Sequence, residues 1–201
     1  MSPPKLVGLA GSFSRPSKTF SLVRAIGGLT AVRYGLESEI YDLSDVGPSL
    51  GAARHPDELD AGGREVIRRI VEADVLVIGA PTYKGSYPGL FKHLIDLVDP
   101  LALRGKPVIL AATGGGDRHA LLVEHQLRPL FGFFMAHTLP SAIYAADRDF
   151  SDYRIVSEAL SVRVEQAVDE LVPFLPQVSQ PATVTGVRRW DGTAKRDWLL
   201  G

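Results

Sequence analysis

The chain has 201 residues, 45% of them hydrophobic and 22% charged, with a formal net charge of −1, which fits one globular unit with a sizeable core and supplies no basic surface for nucleic acid or an anionic membrane. It contains no cysteine, which excludes disulfides, thiolate nucleophiles and cysteine-held metal clusters, so any redox chemistry has to come from a bound cofactor. Met1-Ser2-Pro3-Pro4-Lys5 shows no basic-then-apolar leader and no run reaches the ~18 apolar residues of a membrane span, so a cytoplasmic location is the default expectation.

Lys5 to Ala10 reads as a short strand buried on both faces, and Ser17 to Leu29 as a helix with Phe20, Leu22, Val23 and Ile26 at helical spacing. An extended segment follows around Glu39 to Leu43, then a Gly/Pro-broken loop, Ser44 to Gly51. The next helix, about Gly63 to Ala73, carries Val66, Ile67, Ile70 and Val71 on one face. Val75 to Gly79 is β-branched and apolar throughout, which predicts a central parallel strand. A helix from Pro88 to Val98 is expected after it, with Pro88 at the first helical position.

Pro107 to Thr113 predicts another buried strand, ended by Gly114-Gly115-Gly116 before a helix from about Asp117 to Phe133. A last strand near Leu139 to Ile143 precedes an amphipathic helix spanning roughly Asp152 to Leu175. Five strand–helix repeats imply right-handed crossovers and a flavodoxin-like, doubly wound, five-stranded parallel α/β sheet with helices on both faces, over residues 1–175. Residues 176–201 fall outside the repeat. Their composition fits either disorder or an extension anchored by Trp190 and Trp198 on the same or a neighbouring subunit.

In such sheets ligands bind beyond the carboxyl ends of the strands. Three unusual loops lie there. The first, Gly11 to Thr19, offers the hydroxyls of Ser12, Ser14, Ser17 and Thr19 and the cations Arg15 and Lys18 at a helix start whose free N–H groups attract an anion. Two readings stand at this point: a phosphate cradle, or a polar loop in which Ser17 is only an N-cap. The others are Pro81 to Pro88, with Tyr83 and Tyr87 as walls or as packing, and the glycine loop after Thr113. Together they fit a planar ring with a phosphorylated tail. No G-x-x-x-x-G-K-[ST], G-x-G-x-x-G or H-E-x-x-H pattern is present, the G-x-S-x-G spacing at Gly47 to Gly51 lies in the Gly/Pro-broken loop and makes no strand-to-helix nucleophile elbow, and His55, His93, His119, His125 and His137 read as surface or packing residues.

G-S-x-S-R-x-S-x-T at Gly11 to Thr19, P-x-Y-x-x-S-x-P-G-x-x-K at Pro81 to Lys92 and T-G-G-G at Thr113 to Gly116 together resemble the NAD(P)H-dependent FMN reductase family. Within it the chain is most similar to the FMN reductases of alkanesulfonate and methanesulfonate monooxygenase systems, over about residues 5 to 175. The resemblance implies that Ser12, Ser14, Ser17, Lys18 and Thr19 surround the FMN phosphate. Pro81, Thr82, Tyr83, Lys84, Gly85 and Ser86 would line the isoalloxazine, with Thr113, Gly114 and Gly115 along its other edge. Many relatives carry arginine where Ser14 stands, whereas here arginine comes one place later, at Arg15.

The resemblance also places His125 where the sulfonate-system reductases insert a residue that makes a π-bulge at a tetramer interface and loosens flavin binding. Pro129 independently predicts a distorted helix there, and Leu130 to Met135 is an apolar stretch suited to a dimer or tetramer contact or to a buried helix end. The expected activity is reduction of FMN by NADH or NADPH, with FMNH2 passed to a separate monooxygenase of sulfonate metabolism. Hydride transfer belongs to the cofactors, so no catalytic acid or base and no metal site is assigned. Two rivals are an enzyme that keeps FMN and reduces a quinone, azo dye or metal oxyanion, and a flavodoxin-type electron carrier without turnover.

Overall fold

The structure, a computed structural model, describes residues 3–175. The expected C-terminal extension from Pro176 lies outside the described residues. Strands β1 (Lys5–Ala10), β2 (Glu37–Asp42), β3 (Val75–Pro81), β4 (Pro107–Gly114), β5 (His137–Thr138) and β6 (Ile143–Ala146) form one parallel sheet. Its order is β2-β1-β3-β4-β5, with β6 also on β4. Both short strands pair with the same edge of β4, β5 at Pro107 and Val108 and β6 from Ala111 to Gly114. They therefore fill one fifth position in a flavodoxin-like sheet.

Side-chain alternation divides the core in two. Val7, Leu9, Leu76, Ile78, Val108 and Leu110 face one side, toward helices α3 (Ala61–Glu72) and α4 (Gly89–Asp96) and the segment Val123–Phe134. Leu6, Val75, Val77 and Ile109 face the other, toward α1 (Lys18–Tyr34) and α6 (Glu158–Asp169). Helices therefore cover both faces, as the buried apolar strands require. A short helix α2 (Leu43–Val46) follows β2 directly.

Several boundaries differ from expectation, among them the expected loop Ser44 to Gly51, which holds α2 and a 3₁₀ turn (Pro48–Gly51). Pro88 has ψ 144° and caps α4 from outside instead of opening it, and α4 stops at Asp96. The fifth strand is split because Pro140 has no N–H to donate, and Arg128 takes the carbonyls of the interruption: Nη1 donates to Leu139 O at 2.8 Å and Nη2 to Pro140 O at 3.2 Å. The long final helix begins only at Glu158, because Asp152 and Tyr153 adopt positive φ (46° and 63°) and turn a hairpin between β7 (Phe150–Ser151) and β8 (Arg154–Ile155).

The helix after the glycine loop is broken into a 3₁₀ turn (Asp117–His119), a π-helical turn (Val123–Leu127) and α5 (Arg128–Phe133), with Pro129 in the first turn of α5. The Arg128 N–H donates to Val123 O, five residues back, and His125 sits exposed inside that π-turn. The expected distortion is present. No helix among the described residues is long and apolar enough to cross a membrane.

Candidate functional site

The sheet brings the ends of β1, β3 and β4 to one level. Ala10 pairs with Gly79, and Pro81 pairs with Thr113. Beyond these pairs the three loops are stitched together: the Gly11 N–H donates to Gly79 O at 2.7 Å, and the Thr82 N–H donates to Thr113 O at 2.7 Å. The hydroxyls of Thr19 and Thr113, both buried, lie 2.7 Å apart and join the start of α1 to the end of β4.

In the first loop Ser17 is the N-cap of α1, its Oγ accepting from the Phe20 N–H at 3.2 Å. The buried Ser12 hydroxyl lies 2.8 Å from the same Oγ, and Ser14 is exposed at the rim. The capping and the anion readings thus share one residue. Arg15 turns toward the end of β2: Nε donates to Asp42 at 2.6 Å, Nη2 donates to Asp45 at 2.8 Å, and the guanidinium lies over Phe20. Asp42, itself fully buried, raises the Arg15 pKa through this hydrogen bond, with Asp45 adding to it. Lys18 is likewise held, its Nζ donating to Asp147 at 2.7 Å. Both cations edge the loop while paired to carboxylates, Asp42 being buried and Asp45 and Asp147 partly exposed.

The second loop carries a two-residue turn. Tyr83 and Ser86 exchange backbone hydrogen bonds, N–H to O at 2.7 Å and 3.1 Å, while Lys84 (φ 53°) and Gly85 (φ 86°) occupy the left-handed region that tight hairpin turns demand. The N–H groups of Lys84 and Gly85 thus lie outside the turn's own pairing, on an exposed tip. Tyr87 packs edge-to-face on buried Phe91, 5.7 Å between centroids, and so packs against the core, whereas Tyr83 is exposed. Ser86 donates its hydroxyl to Gln126 on the π-turn.

In the third loop Gly114 is where backbone and side chain crowd together. A Cβ there would overlap the Tyr144 hydroxyl and come within 3.2 Å of Thr82 Oγ1. Tyr144 instead donates to Gly116 O at 2.6 Å, setting the loop's course, and burial raises its pKa. Outside it, Arg148 forms a two-pronged pair with Asp117 at 2.7 and 2.8 Å.

One atom in this cluster is left without a partner. Thr82 Oγ1 is a buried side-chain polar atom with no hydrogen bond, although a buried hydroxyl is costly to leave unpaired. It lies between Gly114 and the turn that follows β3, beside the Tyr144 hydroxyl.

Residues 4–151 match the family described as NADPH-dependent FMN reductase. The chain belongs to that family. It is 47% identical over 172 residues to the NADH-dependent FMN reductase SfnF of Pseudomonas fluorescens, a match covering 86% of this chain and 92% of the relative. It is also 45% identical to an FMN reductase (NADPH) of Pseudomonas aeruginosa, covering 86% of this chain and 93% of that one. Among solved structures, the apo form of an NADH:FMN oxidoreductase superposes with TM-score 0.75 at 27% identity, over 90% of this chain and 93% of that one.

FMN suits this reductase's residues. The unpaired Thr82 hydroxyl and the turn N–H groups can meet the polar edge of a ring. The helix start at Ser17, beside Ser12, can meet its phosphate. Asp42, Asp45, Gln126, Tyr144 and Asp147 were not foreseen as parts of the site. Asp42 and Asp45 have a sequence signal, since D-x-x-D spacing makes the capping box observed on α2. The other three arrive by tertiary contact alone.

Proposed function

We propose that this chain reduces free FMN with NADH or NADPH in the cytoplasm and releases FMNH2 to a separate monooxygenase of sulfonate metabolism. The convergence of three strand-end loops around the Thr82 hydroxyl carries this reading, and relatives described as NADH- and NADPH-dependent FMN reductases support its FMN-reducing part. When bound, FMN and the nicotinamide would supply the hydride chemistry, NAD(P)H giving a hydride (two electrons and one proton) and solvent giving the second proton of FMNH2.

The chain's own residues bind and orient. Ser12, Ser14, Ser17, Lys18 and Thr19 receive the phosphate at the α1 start, and Arg15 contributes if a phosphate displaces Asp45 from its exposed edge. Pro81, Thr82, Tyr83, Lys84, Gly85 and Ser86 would line the ring, with the N–H groups of Lys84 and Gly85 free to donate to a flavin edge where negative charge would grow. Thr113, Gly114 and Gly115 form its other edge. No side chain is assigned proton transfer. The π-turn at His125, with exposed Leu121, Phe133 and Met135 near it, supports a homo-oligomer contact and a loosely held flavin.

Purified protein mixed with NADH or NADPH is expected to reduce added FMN in a saturable manner and to lose any yellow colour on dialysis. Failure to reduce FMN above background overturns the activity. Colour retained through dialysis overturns the diffusible-flavin part and leaves a reductase that keeps FMN.

A further inference from the structure

The turn Tyr83–Ser86 is a weak structure on its own. It consists of two backbone hydrogen bonds on an exposed tip and holds a non-glycine residue, Lys84, at positive φ, a conformation that costs about 1 kcal/mol or more. One side chain braces it from outside. Ser86 Oγ donates to Gln126 Oε1, and Gln126 Nε2 donates to Gly85 O at 3.3 Å.

The two partners also orient the amide. Gly85 O can only accept, so the NH2 group must face it, and the remaining oxygen is left for the hydroxyl of Ser86. Gln126 is in turn fixed by its place in the π-turn, where Val123 and Leu127 on either side are buried in the core. Two residues on, Arg128 pairs with Glu124 at 2.6 and 2.8 Å and grips the carbonyls between β5 and β6. The π-turn is therefore anchored to the sheet edge on one side and to the turn on the other.

We propose that Gln126 is a positioning residue that clamps the Tyr83–Ser86 turn to the π-turn, so that the N–H groups of Lys84 and Gly85 are set in place before flavin arrives. The clamp rests on the FMN reading above. Its effect is pre-organisation: a turn held in its binding shape spends less of the interaction energy on becoming ordered. In this arrangement Ser86 serves as the clamp's anchor, since its N–H and hydroxyl are both engaged within the protein.

The test compares the wild type with Gln126→Leu, Ser86→Ala and the double variant, by FMN titration, steady-state kinetics and thermal unfolding. Losing neutral hydrogen bonds of ordinary strength, Gln126→Leu should raise the Kd and the KM for FMN by about three- to tenfold, with kcat changing less than KM. The double variant should bind FMN no more weakly than Gln126→Leu, because both changes break one unit. Gln126→Asn, which cannot span both partners, should behave like Gln126→Leu. An unchanged Kd in Gln126→Leu overturns the clamp, whether or not Tm falls, and so does strict additivity in the double variant. A wild type that neither binds nor reduces FMN overturns the flavin reading itself, a result distinct from either.

Discussion

The Ser12 and Ser17 hydroxyls lie 2.8 Å apart, closing the loop between β1 and α1 on itself at the point where the helix's free N–H groups begin. Ser17 thus caps the helix and lines the proposed phosphate site at once. Replacing it by Ala should destabilise the protein by about 0.5–2 kcal/mol and raise the KM for FMN. Ser17→Asp separates the roles: a carboxylate caps well, so stability should return in chemical denaturation, while its charge repels phosphate and KM stays high. A KM for FMN unchanged in both variants would leave Ser17 as a cap only.

Thr82 offers the opposite trade between stability and binding. Its buried hydroxyl makes no well-formed hydrogen bond, although the Tyr144 hydroxyl lies beside it, and a buried hydroxyl left unpaired costs about 1–3 kcal/mol. Thr82→Val should therefore leave the ligand-free protein as stable as the wild type or more so, while weakening FMN binding measured by flavin fluorescence. A loss of stability without a change in FMN affinity would show that the hydroxyl has a structural partner.

Gly114 and Tyr144 should be coupled. A Cβ at Gly114 meets the Tyr144 hydroxyl, which holds Gly116 O. Gly114→Ala is expected to reduce Tm and FMN affinity together, and adding Tyr144→Phe should restore part of the Tm by removing the colliding oxygen. Equal losses in the single and double variants would mean that the crowding lies elsewhere.

Alkaline pH should loosen the fold through Tyr41. Burial first, and then its hydrogen bond to Glu39 (2.9 Å), push its pKa up from 10.0 to about 12. The folded-state pKa is the higher one, so between pH 10 and 12 the native protein holds this proton more firmly than the unfolded chain. The stabilisation is complete below pH 10 and fades as pH rises toward 12. Denaturation midpoints should fall across that window, and Tyr41→Phe should make the fall shallower. An identical slope in the variant would place the effect on other groups.

Much of the candidate site's layout was legible because it is local. The hydroxyl loop, Pro81 to Ser86 and the three glycines each follow a strand, and parallel topology forces strand ends to one edge. Tyr87 was ambiguous in sequence, since a ring wall and a packing aromatic look alike there; its contact with Phe91 packs it against the core. Arg15 was equally ambiguous, because a cation near an anion loop carries no record of the carboxylates that will reach it. Asp42 at the end of β2 and Asp45 in α2 hold it.

By itself the sequence determined the sheet, the strand-end position of the site and the distorted helix at Pro129, because alternation, glycine placement and a missing proline N–H act within a few residues of where they are written. Only the tertiary structure decided where the fifth strand breaks, which carboxylates hold Arg15 and Lys18, and that Gln126 braces Gly85 and Ser86. Those contacts join residues tens of positions apart. They depend on how two elements are aimed at each other, a quantity that residue spacing along one element does not contain.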